Sequence, residues 1–213
     1  MENVKVFCHS SIKLSYEDIS IYIDPYKVPE EYHDADIILI THTHYDHFSE
    51  DDIEKVRNEN TIIVATLDAR DKIKEMGFAD HKVLLVEPNK KYKVNEVSFS
   101  TIPAYNVNKA FHKKEYGWVG YVVTLDGVNY YIAGDTDIND ENRAVDCDIA
   151  FLPVGGTYTM NATEAASLAN EIKPKIVIPI HYGLVVGSKE DVEEFRNILN
   201  PSIKCIDIIG GEE

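Results

Sequence analysis

Three imidazoles and one carboxylate fall within six residues in the stretch Thr41-His42-Thr43-His44-Tyr45-Asp46-His47, directly behind the apolar run Ile37-Ile38-Leu39-Ile40. These are metal-ligand side chains. In extended backbone, side chains two apart point the same way, so His42 and His44 can grip one ion as a pair. Asp46 and His47 follow a bend and are aimed elsewhere, which suits a second ion nearby. Imidazole nitrogen with carboxylate oxygen suits zinc, and the same donors serve manganese or iron(II); the absence of thiolate argues against a closed structural zinc site. A histidine-rich solvated loop is the bland alternative. Four ligand-type residues at this spacing behind a buried strand are a more specific signal than histidine richness.

The elements that position this cluster follow from periodicity. Ile37 to Ile40 looks like a buried strand, and Ser49 followed three residues later by Asp52 marks a helix start, so the cluster is a strand-to-helix loop. Before it, Val4 to Phe7, Ile12 to Leu14 and Ile19 to Ile23 alternate as an antiparallel meander, which Asp24-Pro25 stops. After it come a short helix with Ile53 and Val56 inward, a strand from Thr61 to Ala65, and a helix with Ala69, Ile73 and Met76 on one face closed by Gly77. Strands follow at Val83 to Val86 and Val97 to Ile102. The second half has a hairpin from Gly117 to Leu125 and Asn129 to Ala133 across Asp126-Gly127. Further strands are expected at Ile149 to Leu152, Lys175 to Ile178 and Ile203 to Ile209. One helix is capped by Asn161 and Glu164, and another behind Ser188 turns Val192, Phe195, Ile198 and Leu199 inward. Periodicity supports a mixed α/β protein, read as a single domain over residues 1–213.

Two further places end strands with ligand-type residues: Gly134-Asp135-Thr136-Asp137 and His181-Tyr182-Gly183. Glycine permits a sharp turn at the first, and its carboxylate could bridge two ions. Neither would be singled out without the first cluster.

Taken together, these residues resemble the metallo-β-lactamase superfamily over nearly the whole chain. His42, His44, Asp46 and His47 carry its HxHxDH signature, Asp135 matches its later bridging aspartate and His181 its final histidine. His9-Ser10, Asp24-Pro25, Pro153 to Met160 and Ile180-His181-Tyr182-Gly183 are similar to a compact branch. That branch includes ascorbate-6-phosphate lactonase-like and N-acylphosphatidylethanolamine phospholipase-like hydrolases. The resemblance implies a four-layer αββα sandwich and a metal-dependent hydrolase with two divalent ions, most simply Zn²⁺. The chemistry would be attack by a metal-bound hydroxide on a small ester, lactone, amide or phosphodiester, with Asp46, Asp135 and His181 as the catalytic set. The superfamily's flavodiiron members carry a glutamate where this chain has His44, which argues against a redox role.

One departure matters. Relatives place a third histidine of the first metal site after the strand that here ends Thr101-Ile102-Pro103-Ala104-Tyr105, but this chain has Asn106. The nearest imidazole is His112, which either lies on a mobile lid and touches no metal or is swung by that lid into the site while Asn106 holds bound water or substrate. His9 has either a role beside the metals or a plain strand-end position. His33 and His81 are expected at the surface. Gly155-Gly156 could present N–H groups to an anion, or simply make a tight turn. Tyr158, Tyr182 and Trp118 could line a pocket, though aromatics near strand ends are more often core or rim.

Composition narrows the remaining classes. The chain has 213 residues and a formal net charge of −16, with only four arginines among 21 basic residues. No dense basic stripe exists for a phosphate backbone, which argues against nucleic acid as a partner and for a small-molecule substrate. No apolar stretch approaches the roughly 20 residues of a membrane helix, and the opening residues read as a strand. Cys8, Cys147 and Cys205 lie far apart, as free thiols of a reducing compartment, so a cytoplasmic protein is expected. Self-association is left open. The competing readings are an RNA- or nucleotide-directed phosphodiesterase and a non-catalytic metal-binding protein.

Overall fold

A computed structural model describes residues 3–210. The chain forms two compact units, one running to Glu87 and rejoined from Ile208, the other Pro88–Asp207.

In the first unit the alternating opening residues form an antiparallel meander of Val4–Cys8 (β1), Ser11–Tyr16 (β2) and Ile19–Ile23 (β3). The apolar runs Ala35–Leu39 (β4), Arg57–Thr66 (β5) and Val83–Val86 (β6) continue the sheet in parallel, giving the order β1-β2-β3-β4-β5-β6. Parallel neighbours need crossovers, and these carry the helices Glu50–Val56 (α1) and Arg70–Glu75 (α2). Ile53 and Val56 of α1 and Ile73 of α2 share one buried core with Ile38, Ile63 and Ala65 of the sheet. Because β1 and β3 both run antiparallel to β2, and β3 is parallel to β4, the C-terminal ends of β1, β3 and β4 lie on one edge.

The second unit repeats this plan. Lys91–Val94 (β7), Val97–Pro103 (β8), Val119–Leu125 (β9) and Val128–Ile132 (β10) are antiparallel. Ile149–Pro153 (β11), Ile176–Ile180 (β12) and Lys204–Cys205 (β13) then pair in parallel, giving the order β13-β12-β11-β10-β9-β8-β7. Asp126 (φ 51°) and Gly127 (φ 70°) make the turn between β9 and β10, the left-handed pair that a two-residue hairpin requires. The helices are Asp140–Arg143 (α3), Ala162–Ile172 (α4) and Lys189–Ile198 (α5). Reciprocal capping boxes start α4 at Asn161 and Glu164, and α5 at Ser188 and Asp191. Here β8, β10, β11 and β12 share one direction, so their C-terminal ends also meet at one edge.

Several expectations are revised. Strand β7 and helix α3 have no sequence signal: one is a four-residue, lysine-bearing strand at the sheet margin, the other four residues long with three of them charged. The strand expected from Ile203 to Ile209 shrinks to Lys204–Cys205, and Ile209 instead bridges to Val6. Ile198 is 40% exposed, off the stripe that buries Val192 and Phe195. The three cysteines are free thiols. Among the described residues, no helix is long and apolar enough to cross a membrane.

Asp52 ties α1 to the segment after β3. Its carboxylate accepts from the backbone N–H groups of Lys27 (2.8 Å) and Val28 (3.0 Å) and from the Ser49 hydroxyl (2.7 Å), and pairs with the Lys55 ammonium (2.8 Å). Burial pushes this carboxyl up, but Lys55, Ser49 and the two N–H groups outweigh burial and hold it below the ordinary carboxylate range. A depressed folded-state value means the stabilisation is present above the unfolded value of about 3.9 and is lost as pH falls through the folded one. Asp52→Asn should therefore lower stability at neutral pH by about 1–2 kcal/mol. In thermal melts against pH, the gap between wild type and variant should close below about pH 4; a gap that persists there would contradict this.

Candidate metal centre

At the ligand-bearing edge of the first unit, the backbone turns abruptly where two strands end. His9 directly follows β1 and Asp24 directly follows β3, with φ of 55° and 45°. Left-handed backbone at a non-glycine residue costs roughly 1–2 kcal/mol, and it persists where surrounding contacts over-determine it. Asp24 supplies those contacts. Fully buried, it accepts from the Thr41 N–H (2.8 Å), the Thr41 hydroxyl (2.6 Å) and His47 Nδ1 (2.7 Å). Burial pushes the Asp24 carboxyl above the ordinary range, while its contacts with His47 and Thr41 pull it back.

These bonds settle where the imidazole protons sit. Thr41 gives its hydroxyl proton to Asp24, so the same oxygen accepts from His42 Nδ1 at 3.0 Å. His47 likewise donates from Nδ1 to Asp24. In both rings the lone pair is then on Nε2, as in metal-binding histidines whose other nitrogen donates to a carboxylate. His42 Nε2 lies 3.1 Å from His44 Nδ1, an arrangement that fits two donors on one cation. Asp46 Oδ2 lies 3.2 Å from His9 Nε2 and 3.8 Å from His47 Nε2. His42 thus lies beside both His44 and His47, with ring centroids 4.7 and 4.1 Å away, and the completely buried His9 lies beside Asp46.

The second unit presents a carboxylate between two imidazoles. After β10 the chain turns at Gly134 (φ 65°) and places Asp135; His181 (φ 58°) directly follows β12. Asp135 Oδ2 is 3.2 Å from His112 Nε2 and 3.1 Å from His181 Nε2, and all three residues are buried. Gly155 is required beside them, because a Cβ there would come within 2.3 Å of the His181 carbonyl oxygen. Its neighbour Gly156 gives its N–H to the Met160 carbonyl, so that part of the segment serves as a turn.

The expectation of a mobile lid is corrected. His112 is 1% exposed, and the segment before it is strapped down. The Val107 N–H and the Lys109 ammonium both reach the Asp137 carboxylate, at 3.0 and 2.5 Å, and Lys109 also reaches the Thr159 carbonyl at 2.9 Å. Asn106 does not face water or substrate: its carboxamide is spent on His112 and on the Tyr158 carbonyl. Trp118 and Tyr182 are buried, with the Trp118 ring 5.6 Å from that of His112; Tyr158 is half-buried, and His33 and His81 are at the surface. The role of Asp24 escaped the sequence, where Asp-Pro reads as a strand stop. Its signals are a carboxylate directly behind an apolar strand and the similarity of Asp24-Pro25 to the compact branch.

Histidine and aspartate clusters able to bind a metal ion are thus present. The donor set fits: ligand atoms at about 2.0–2.2 Å from a four-coordinate ion stand roughly 3.3 Å apart. The imidazole–carboxylate spacings of 3.1 and 3.2 Å are of that size.

Comparison with known proteins agrees with this chemistry. The family described as "Beta-lactamase superfamily domain" matches residues 3–181. The chain belongs to this superfamily, and its fold is the metallo-β-lactamase fold. Within it, the chain belongs with the UPF0173 metal-dependent hydrolases. It is 32% identical to one from Methanosphaera stadtmanae, over 94% of this chain and 92% of the relative. It is 30% identical to another from Thermococcus kodakarensis, over 100% and 99%. A solved structure from Parabacteroides distasonis superposes with a TM-score of 0.81 at 32% identity, covering 96% of this chain and 91% of that one. Igni18, a metallo hydrolase from Ignicoccus hospitalis, shares the fold at a TM-score of 0.78 and 20% identity, covering 98% and 95%.

Removing the Asp24 carboxylate would strand three buried donors at once. Asp24→Ala should cost about 3 kcal/mol or more. That corresponds to a fall of roughly 6 °C or more in melting temperature for a chain of this size. A melting temperature within a degree or two of wild type would show that Asp24 does not anchor the loop.

Proposed function

We propose that the two units are halves of one catalytic domain whose donors jointly hold two divalent metal ions. On this reading His42, His44, His112 and Asp135 would hold one ion, and His9, Asp46, His47 and His181 the other. Neutral imidazole with carboxylate and no thiolate favours zinc, with manganese or iron(II) served by the same atoms. The observation that carries this reading is the single oxygen of Asp135 approached by two imidazoles, at 3.2 and 3.1 Å, which suits a carboxylate shared by two ions. When bound, such ions supply a hydroxide nucleophile near neutral pH and polarise the oxygen under attack.

The chain's own residues do the positioning. Asp135 and Asp46 would each bring one carboxylate to the metal donors. Asp24 keeps His42 and His47 turned, and Gly155 lets the backbone close up behind His181. The reaction is hydrolysis without a protein nucleophile, on a small ester, lactone, amide or phosphodiester, in keeping with the compact branch that the sequence resembles. The net charge of −16 disfavours a nucleic-acid backbone. Free thiols fit a reducing compartment, so we read the protein as cytoplasmic.

The test is Asp135→Ala, with metal content measured by mass spectrometry and turnover measured on a panel of phosphodiester, lactone and acyl substrates. We expect an intact thermal transition, loss of at least one ion per chain, and a fall of about 100-fold or more in kcat/KM, as befits loss of several kcal/mol of charge stabilisation. Full turnover in this variant would remove Asp135 from the mechanism, and salt-sensitive RNA binding by the wild type would favour a nuclease instead.

A further inference from the structure

Asn106 lies three residues after the end of β8, and its contacts give it a defined task. Its backbone N–H donates to the His112 carbonyl at 2.7 Å. Its side-chain Oδ1 accepts from the His112 backbone N–H at 3.0 Å, and its Nδ2 donates to the Tyr158 carbonyl at 2.8 Å. A backbone N–H only donates and a backbone carbonyl only accepts, so these two partners fix the orientation of the carboxamide. The third contact is then determined. Oδ1 also faces His112 Nδ1 at 3.1 Å, and an acceptor oxygen there requires the proton on Nδ1. In the neutral ring the lone pair is then on Nε2, the atom 3.2 Å from Asp135 Oδ2.

We propose that Asn106 is the positioning residue of His112: one carboxamide oxygen clamps both the backbone and the ring of that histidine, fixing its tautomer and its aim. The clamp and the ring that it holds are six residues apart in the chain. Asn106 and His112 are both buried, so neither has bulk water as a substitute partner, and Tyr158 holds the clamp from behind. The proposal rests on reading His112 as a metal ligand, and its test separates the two ideas.

The experiment titrates metal-free protein with Zn²⁺ alone against a chromogenic chelator, and records imidazole ¹⁵N shifts of the metal-free form. The wild type should show His112 as the Nδ1–H tautomer. Asn106→Ala should show a tautomer mixture and bind one of two zinc ions about 10–100-fold more weakly, with the other unaffected. His112→Ala should lose that same ion, and the double variant should be no weaker than His112→Ala alone. Asn106→Asp, which keeps the acceptor oxygen facing His112 but gives up the donor to the Tyr158 carbonyl, should restore the tautomer and part of the affinity; it also carries the test if the alanine variant does not fold. Wild-type zinc affinity in both Asn106 variants, alongside loss of an ion in His112→Ala, would overturn the clamp while leaving His112 a ligand. A lower melting temperature with unchanged zinc binding would likewise assign Asn106 a merely structural role. Two ions held at wild-type affinity in His112→Ala would instead remove the ligand reading, and the clamp with it.

Discussion

A neutral imidazole has one nitrogen that donates and one that accepts, and a buried histidine can offer its lone pair outward only if something inside takes the proton of the other nitrogen. Much of this structure serves that constraint. In the first unit the acceptor is Asp24, which takes the Nδ1 proton of His47 directly and, through the Thr41 hydroxyl, orders that of His42. In the second it is the carboxamide oxygen of Asn106, acting on His112. One acceptor is a carboxylate and the other a neutral amide, so the histidines sit in different fields. On the reading proposed here, the two ions would differ in the electron density their ligands supply.

Within each unit the fold gathers these groups by strand direction. Each sheet pairs an antiparallel meander with a parallel crossover, and in each the strands that end in ligand-type residues all point to one edge. Left-handed backbone immediately after the strand recurs at His9, Asp24 and His181, with glycine taking the equivalent bend at Gly134. Only the glycine makes that turn cheaply; at the other three, side-chain chemistry has been kept at a conformational cost.

Local signals carried much of this into the sequence. The Ser49 cap, the Asp126-Gly127 hairpin and the Asn161 capping box each rest on contacts within a few residues, and each is present as read. What was not legible depends on distant partners. Asp24 looks like a strand stop because Thr41 and His47, which give it meaning, lie 17 and 23 residues away. His112 was placed on an open lid because nothing in residues 106–112 announces that Asp137 and Thr159 tie the segment down. Strand β7 has too few residues and too much charge for periodicity to register, and only pairing with β8 makes it a strand.

The most direct test of the two-ion reading is an anomalous-scattering measurement at the zinc edge on crystals of the protein grown with zinc. The account predicts two peaks about 3.5–4 Å apart, with Asp135 between them. A single peak, or a pair that leaves Asp135 and His112 outside ligand distance, would contradict it.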